Sequence, residues 1–245
     1  MNEYGLQLYS VRDITEKDLL GAIKTVAKTG YKGMEFAGFF GHSAEEVKAC
    51  MDDCGVKAWG THTGVDGLTE ETLADTIAYH KAIGCGLCII PWAPHETEED
   101  LKKLAAIIDR VQPEMAKNGI TLAYHNHSSE LQPNKDGLIA LDWLIENTKI
   151  AVELDTFWAF YAGVDAVEKM KELGDRLVAV HLKDGVREDW DDCGKPLGQG
   201  NAPVKAVREY ALKKQLPIVV ESESLTPDGP TEVQVCFDYL KSLEA

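Results

Sequence analysis

No stretch of the 245-residue chain approaches the roughly 20 consecutive apolar residues that a helix needs to cross a bilayer, so no membrane partnership is expected. Basic residues are equally short: 25 Lys and Arg face 41 Asp and Glu, a net charge of −16. A chain of that sign repels polyanions and offers no basic patch for counterion release, which argues against nucleic acid as a partner. Cysteine is too sparse to frame a fold. The six (Cys50, Cys54, Cys85, Cys88, Cys193 and Cys236) fit no disulfide scaffold for this length and read as reduced thiols. Cys85-Gly-Leu-Cys88 has redox-motif spacing, but it opens an apolar strand instead of capping a helix, so a structural role is expected. No Gly-x-Gly-x-x-Gly follows the first apolar strand and no Gly-x₄-Gly-Lys-Ser/Thr occurs, which removes the usual dinucleotide and P-loop sites. An apolar strand begins by Tyr4, leaving no room for a signal peptide, and a cytoplasmic location is the expectation.

What is present is an alternation. Apolar runs at 4–8, 33–36, 56–62, 87–90, 120–125, 150–155, 177–182 and 217–221 read as strands. Each is followed by a segment of helical spacing. Thr15 is placed to cap the first, which carries Leu19, Ile23 and Val26. Ser43-Ala-Glu-Glu46 is a capping box for the second, and Thr97-Glu-Glu-Asp100 opens the long helix ending near Gly119. The remaining helices are expected from near Thr69 to Gly84 and over 136–146, 164–173, 203–213 and 231–243. Eight strand–helix units in 245 residues predict a single α/β domain over 1–245, a (β/α)₈ TIM barrel.

In such a barrel every strand C-terminus opens on one mouth, so position gives each polar residue its meaning. Gln7, Glu35, His62, Trp92, His125, His127, Asp155, His181, Lys183 and Glu221 all fall at or just beyond strand ends. Four successive runs end in residues able to bind metal: Tyr124-His125-Asn-His127 with Glu130 close behind, Glu153-Leu-Asp155, Val180-His181 and Val220-Glu221. Imidazole and carboxylate at neighbouring strand ends converge on one divalent ion.

The strings Tyr124-His-Asn-His127-Ser-Ser-Glu130, Glu153-Leu-Asp-Thr-Phe-Trp158 with Gly163, Val180-His-Leu-Lys-Asp184, Pro196-Leu-Gly-Gln-Gly200 and Val220-Glu-Ser222 resemble the xylose isomerase-like TIM barrel superfamily of sugar phosphate isomerases/epimerases. The resemblance covers essentially the whole chain. It implies a divalent cation, Mn²⁺ first with Mg²⁺, Co²⁺ or Zn²⁺ as alternatives, and a ketose, keto-sugar or cyclitol substrate. It places Asp155, His181 and Glu221 on ligand positions of strands six to eight. Many relatives carry a glutamate ligand where this chain has His125, so the fifth-strand ligand is either His125 or Glu130 reaching back, with Glu130 slightly preferred. It also makes His127 the match of a base used by dehydratase relatives, and it puts Trp158 where some epimerases hold substrate with histidine.

The chemistry these residues suit is abstraction of a proton next to a sugar carbonyl, with a cation stabilising the enediolate. His127, Glu130 and Glu221 are the proton carriers available, and Lys183 adds a fixed charge for a hydroxyl or oxyanion. His62 is expected to bind substrate together with Gln7, Glu35 and Lys183, and Trp92 and Trp158 offer apolar walls for a sugar ring. An isomerase or epimerase is the first reading. A dehydratase or lyase acting on an inosose or 3-keto-glycoside by the same abstraction is the alternative. Oligomeric state is left open, a homodimer being admissible.

Overall fold

The computed structural model describes residues 2–188 and 193–244. Eight strands form a closed barrel: β1 (Gly5–Gln7), β2 (Gly33–Phe36), β3 (Lys57–His62), β4 (Leu87–Ile90), β5 (Thr121–His125), β6 (Ala151–Asp155), β7 (Leu177–Leu182) and β8 (Ile218–Val220). Every neighbouring pair is parallel, and β8 pairs with β1 to close the ring. The eightfold alternation read from the sequence is therefore the (β/α)₈ architecture itself.

The outer layer follows the capping chemistry. Helices α1 (Leu19–Thr29), α2 (Ala44–Cys54), α3 (Leu73–Ile83), α4 (Glu98–Lys117), α5 (Ala140–Asn147), α6 (Thr156–Tyr161), α7 (Ala166–Leu173), α8 (Val204–Lys214) and α9 (Gly229–Ser242) carry the chain between strands. Both anticipated capping boxes form, Ser43 with Glu46 and Thr97 with Asp100. The first cap differs from expectation. Asp18, not Thr15, caps α1 by accepting from Gly21 N at 2.8 Å, while Thr15 is buried and its hydroxyl donates to Val11 O. A carboxylate at this position meets the helix's positive end, which the Thr15 hydroxyl, already turned toward Val11, does not.

Strand alternation sorts the side chains into two layers. Val152 and Leu154 of β6, like Leu122 and Tyr124 of β5, join the main core between barrel and helices. Ala123 and Ala151 face the other way, forming with Ile89 a small separate cluster. His125, Glu153 and Asp155 continue that inner face by the period of two. Small residues below thus leave the polar ones room above. At β1 and β2 the same economy admits a large ring: a Cβ on Gly33 would meet the Trp59 side chain at 2.0 Å and one on Gly5 at 2.7 Å, so these positions are tied to glycine by Trp59.

All six cysteines are free. Burial pushes Cys85 up to about 12 and Cys88 up to about 11, which makes the pair an unreactive part of the β4 environment. No described helix is long and apolar enough to cross a membrane.

A candidate metal centre at the barrel mouth

The register lines up the strand ends. Asp155 stands opposite His181 across β6 and β7, His125 opposite Glu153 across β5 and β6, and Gln7 opposite Glu35 across β1 and β2. His125, Asp155, His181 and Glu221 each bring one ligand atom into a group whose members lie within 4.8 Å of one another. A second group of the same tightness joins His62, His125, Glu153 and His181; it is called the floor group because Glu153 lies one inward-facing step before Asp155 on β6. Beside them opens a cavity of about 390 Å³, lined by Tyr9, Ala37, His62, Pro91, His125, His127, Glu221 and Glu223.

Charge packs densely here. Glu35, Glu153 and Asp155 are fully buried, and burial raises Asp155 to about 7 against the opposing pull of Lys183. Glu35 is raised to about 7 by burial and by the charge of Glu153. Burial also pushes Glu153 and Glu221 upward, but cationic neighbours overcome it and hold both well below the usual range: His181 chiefly for Glu153, Lys183 for Glu221. His125, desolvated and only partly helped by Glu153, is driven down to about 3 and is neutral, the state in which imidazole binds metal. Asp155 Oδ2 and Glu153 Oε1 are buried without any hydrogen-bond partner. An unpaired carboxylate oxygen in so dry a place is costly unless a positive charge meets it, and a divalent cation among these donors fits that need.

Several expected substrate contacts are otherwise engaged. Gln7 donates to Glu35 Oε1 at 2.8 Å, and His181 Nε2 reaches the same oxygen at 2.6 Å, leaving His181 Nδ1 toward Glu221 at 3.3 Å. Glu35, itself held by Gln7, therefore fixes the His181 ring, as a carboxylate behind a metal-binding histidine would. His62 touches Glu153 at 3.0 Å and Glu35 at 3.3 Å while also lining the cavity. Lys183 is buried, bonded to Glu223, 3.6 Å from Glu221 and 4.7 Å over the Trp158 ring. Trp158 is buried, its N–H donating to Asp155 Oδ1 at 2.8 Å as α6 begins. Trp92 is 54% exposed and edge-on to His95, and is not among the residues lining the cavity.

Glu130 belongs to neither ligand group. Its Oε2 accepts from His127 N and Ser129 Oγ, both at 3.0 Å, and its Oε1 from Tyr124 OH at 3.3 Å. The carboxylate pins the turn after β5 and thereby positions His127, which lines the cavity with Nδ1 unpartnered. The turn 196–202 closes on the chain's own Asp184. Gly198, Gly200 and Ala202 N–H groups donate to that carboxylate at 2.8, 3.0 and 3.1 Å.

Glu153 and Glu223 escaped the sequence reading. Glu153 was findable: it lies two residues before the strand-end candidate Asp155, and the period of two returns it to the same face of β6. Glu223 lies just past β8, in a loop that Glu232 gathers by accepting from Ser222, Ser224 and Thr226.

Comparison with known proteins places the fold. The family described as xylose isomerase-like TIM barrel matches residues 23–243. An inosose dehydratase of Geobacillus kaustophilus is 26% identical over 191 residues, 68% of this chain but only 62% of that protein. A sugar phosphate isomerase/epimerase of Parabacteroides distasonis superposes with TM-score 0.83 at 24% identity, covering 98% of both chains. A probable 3-DHS dehydratase of Bacillus anthracis does so with TM-score 0.79 at 12% identity, over 98% of this chain and 99% of the other.

Proposed function

The chain belongs to the xylose isomerase-like TIM barrel family, and on that premise we propose that it is a divalent-cation-dependent sugar isomerase or epimerase that removes a proton next to a carbonyl. The observation carrying this is His127: an imidazole with an unpartnered nitrogen lines the same cavity as the ligand histidine and Glu221 of the mouth group. Burial lowers His127, so at neutral pH the ring is uncharged and able to accept a proton.

Asp155, His181, Glu221 and His125 are the residues that would hold the cation. Bound there, a cation supplies positive charge to the oxygens flanking the carbon that loses its proton. His127 takes that proton; an isomerase returns it to the neighbouring carbon from the same face, whereas an epimerase needs a second proton carrier on the opposite face. Lys183, raised by Glu221 and Glu223 despite burial, stays charged and donates toward substrate oxygen. Glu221, held ionised, serves better as ligand than as acid. Mn²⁺ suits a donor set half carboxylate and half imidazole.

We take His125 over Glu130 as fifth-strand ligand, because Glu130 is engaged by its own turn, and the choice makes a prediction. His125→Ala is expected to weaken Mn²⁺ binding by at least the 10–100-fold typical of perturbing a metal's surroundings. Glu130→Ala should instead leave Mn²⁺ affinity near wild type while costing roughly 1–3 kcal/mol of stability, because buried donors lose their acceptor. Titration calorimetry and urea unfolding separate the two, and the reverse pattern would return the ligand role to Glu130.

Dehydration is the second reading, favoured by the curated relatives named inosose dehydratase. It uses the same abstraction, followed by loss of a β-hydroxyl instead of reprotonation. Free ketoses, sugar phosphates, inososes and 3-keto-glycosides incubated with enzyme and Mn²⁺ and followed by NMR decide the matter. New stereoisomers or shifted carbonyls support the first reading and unsaturated products the second. Silence across the panel overturns both.

A further inference from the structure

Beneath the mouth, three imidazoles converge on one oxygen. Glu153 Oε2 lies 3.0 Å from His62 Nε2, 3.2 Å from His125 Nδ1 and 3.2 Å from His181 Nε2. In a tetrahedral centre with metal–ligand bonds of about 2.0–2.1 Å, neighbouring donors stand about 3.3 Å apart. The three separations that run from Glu153 Oε2 already match edges of such a centre, and the remaining donor atoms lie within 4.8 Å of one another. Glu153 is completely buried, and its second oxygen, Oε1, has no partner. Filling the mouth position above with a cation engages Asp155 and Glu221 but does not by itself satisfy that oxygen.

We propose that His62, His125, Glu153 and His181 form a second cation position on the barrel floor, selective for a nitrogen-preferring ion such as Zn²⁺, and that its occupation excludes a cation from the mouth. The floor position stands independently; the exclusion rests on the mouth reading proposed above.

Donor chemistry separates the two positions. The floor offers three imidazoles and one carboxylate, the mouth two imidazoles and two carboxylates. Imidazole-rich sets suit Zn²⁺, whereas carboxylate and water suit Mn²⁺ and Mg²⁺. Exclusion follows from proton counting. His125 and His181 belong to both groups, and a neutral imidazole has a single lone pair, its other nitrogen carrying hydrogen. His181 presents Nε2 to Glu153 and Nδ1 to Glu221, so one tautomer serves the floor and the other the mouth. Four protein donors also close the floor centre, leaving no open position for substrate, the arrangement of a structural zinc site. Zn²⁺ bound there is an inhibitor of a Mn²⁺-dependent reaction.

Two residues are unshared and make the test. His62 belongs only to the floor group and Asp155 only to the mouth group. The full chain, stripped of metal, is titrated with Zn²⁺ and with Mn²⁺ against a chromophoric chelator, folding being checked by circular dichroism. His62→Gln should weaken Zn²⁺ by at least about 10-fold and leave Mn²⁺ near wild type, and Asp155→Ala should do the opposite. In Zn²⁺-loaded wild-type crystals, anomalous scattering at the zinc edge should peak between the three imidazoles, a readout that does not depend on either variant folding. A peak beside Asp155, or Asp155→Ala weakening both ions while His62→Gln weakens neither, overturns the floor position and leaves the proposed function standing. Failure of the wild type to bind either ion overturns both.

Discussion

Asp155→Asn is expected to lower kcat/KM by about 10²–10³-fold or more, the scale of losing one preorganised electrostatic group, while making the metal-free protein more stable above neutral pH. The two effects have one cause. Burial holds the Asp155 carboxyl up at about 7, against 3.8 ordinarily. Between those values the folded chain keeps a proton that the unfolded chain has released, so stability falls as pH climbs through the interval. At about 1.4 kcal/mol per unit, the full penalty above pH 7 reaches at most about 4 kcal/mol. Asparagine cannot ionise, yet its oxygen still accepts from Trp158 N, preserving the cap on α6. The stability gap between variant and wild type should be small near pH 4 and widen to pH 8. Added Mn²⁺ should close it by stabilising the wild type alone. Urea unfolding at several pH values, with and without Mn²⁺, checks each part. A gap that ignores pH, or a variant stabilised by Mn²⁺ as strongly as wild type, sinks the assignment of Asp155 as ligand.

The fold was legible because a parallel barrel repeats one local rule eight times. Each strand needs a short apolar run and each helix a cap and an amphipathic stripe, and these signals lie within about ten residues of each other. Where signals were ambiguous, boundaries moved. The helix expected from Thr69 begins at Leu73, because Val65–Leu68 forms a 3₁₀ turn first. The short α6 was unforeseen, since its cap is Asp155, a residue whose place at a strand end hid its second role.

The site was legible only in part. Strand-end position singled out His125, Asp155, His181 and Glu221, which the fold brings within 4.8 Å of one another. It did not separate carboxylates that reach this group from those engaged elsewhere. Glu35 and Gln7 look like substrate contacts in sequence, but Glu35 is engaged by His181 and Gln7 by Glu35, and Glu130 is engaged by its own turn. For Gln7 and Glu35 the partners lie 28 and 146 residues away, a distance at which no local pattern reports, whereas those of Glu130 lie within 6 residues. Glu153 was concealed in the opposite sense, lying one layer below the mouth.

If His127 is the base, hydrogen at the carbon beside the substrate carbonyl should exchange with solvent, and His127→Gln should suppress both exchange and turnover by about 10²–10⁴-fold, the usual worth of a positioned proton carrier. Glutamine keeps the bulk near Trp158, whose ring centroid lies 6.0 Å from that of His127, but cannot take up a proton at the relevant pH. Substrate binding should therefore survive while kcat falls. In D₂O the wild type is expected to incorporate deuterium at that carbon, because His127 lines an open cavity in which its acquired proton meets water before returning. Removing the cation should stop incorporation: without positive charge on the flanking oxygens the carbon acid is too weak for imidazole at neutral pH. A shielded base can return the same proton and hide the label, so substrate deuterated at that carbon is the companion measurement, with a primary isotope effect expected on kcat. Label that moves intact from one carbon to its neighbour, with no solvent entry in either direction, is the signature of hydride transfer. That outcome would remove His127 from the reaction while leaving the cation site and the barrel as described.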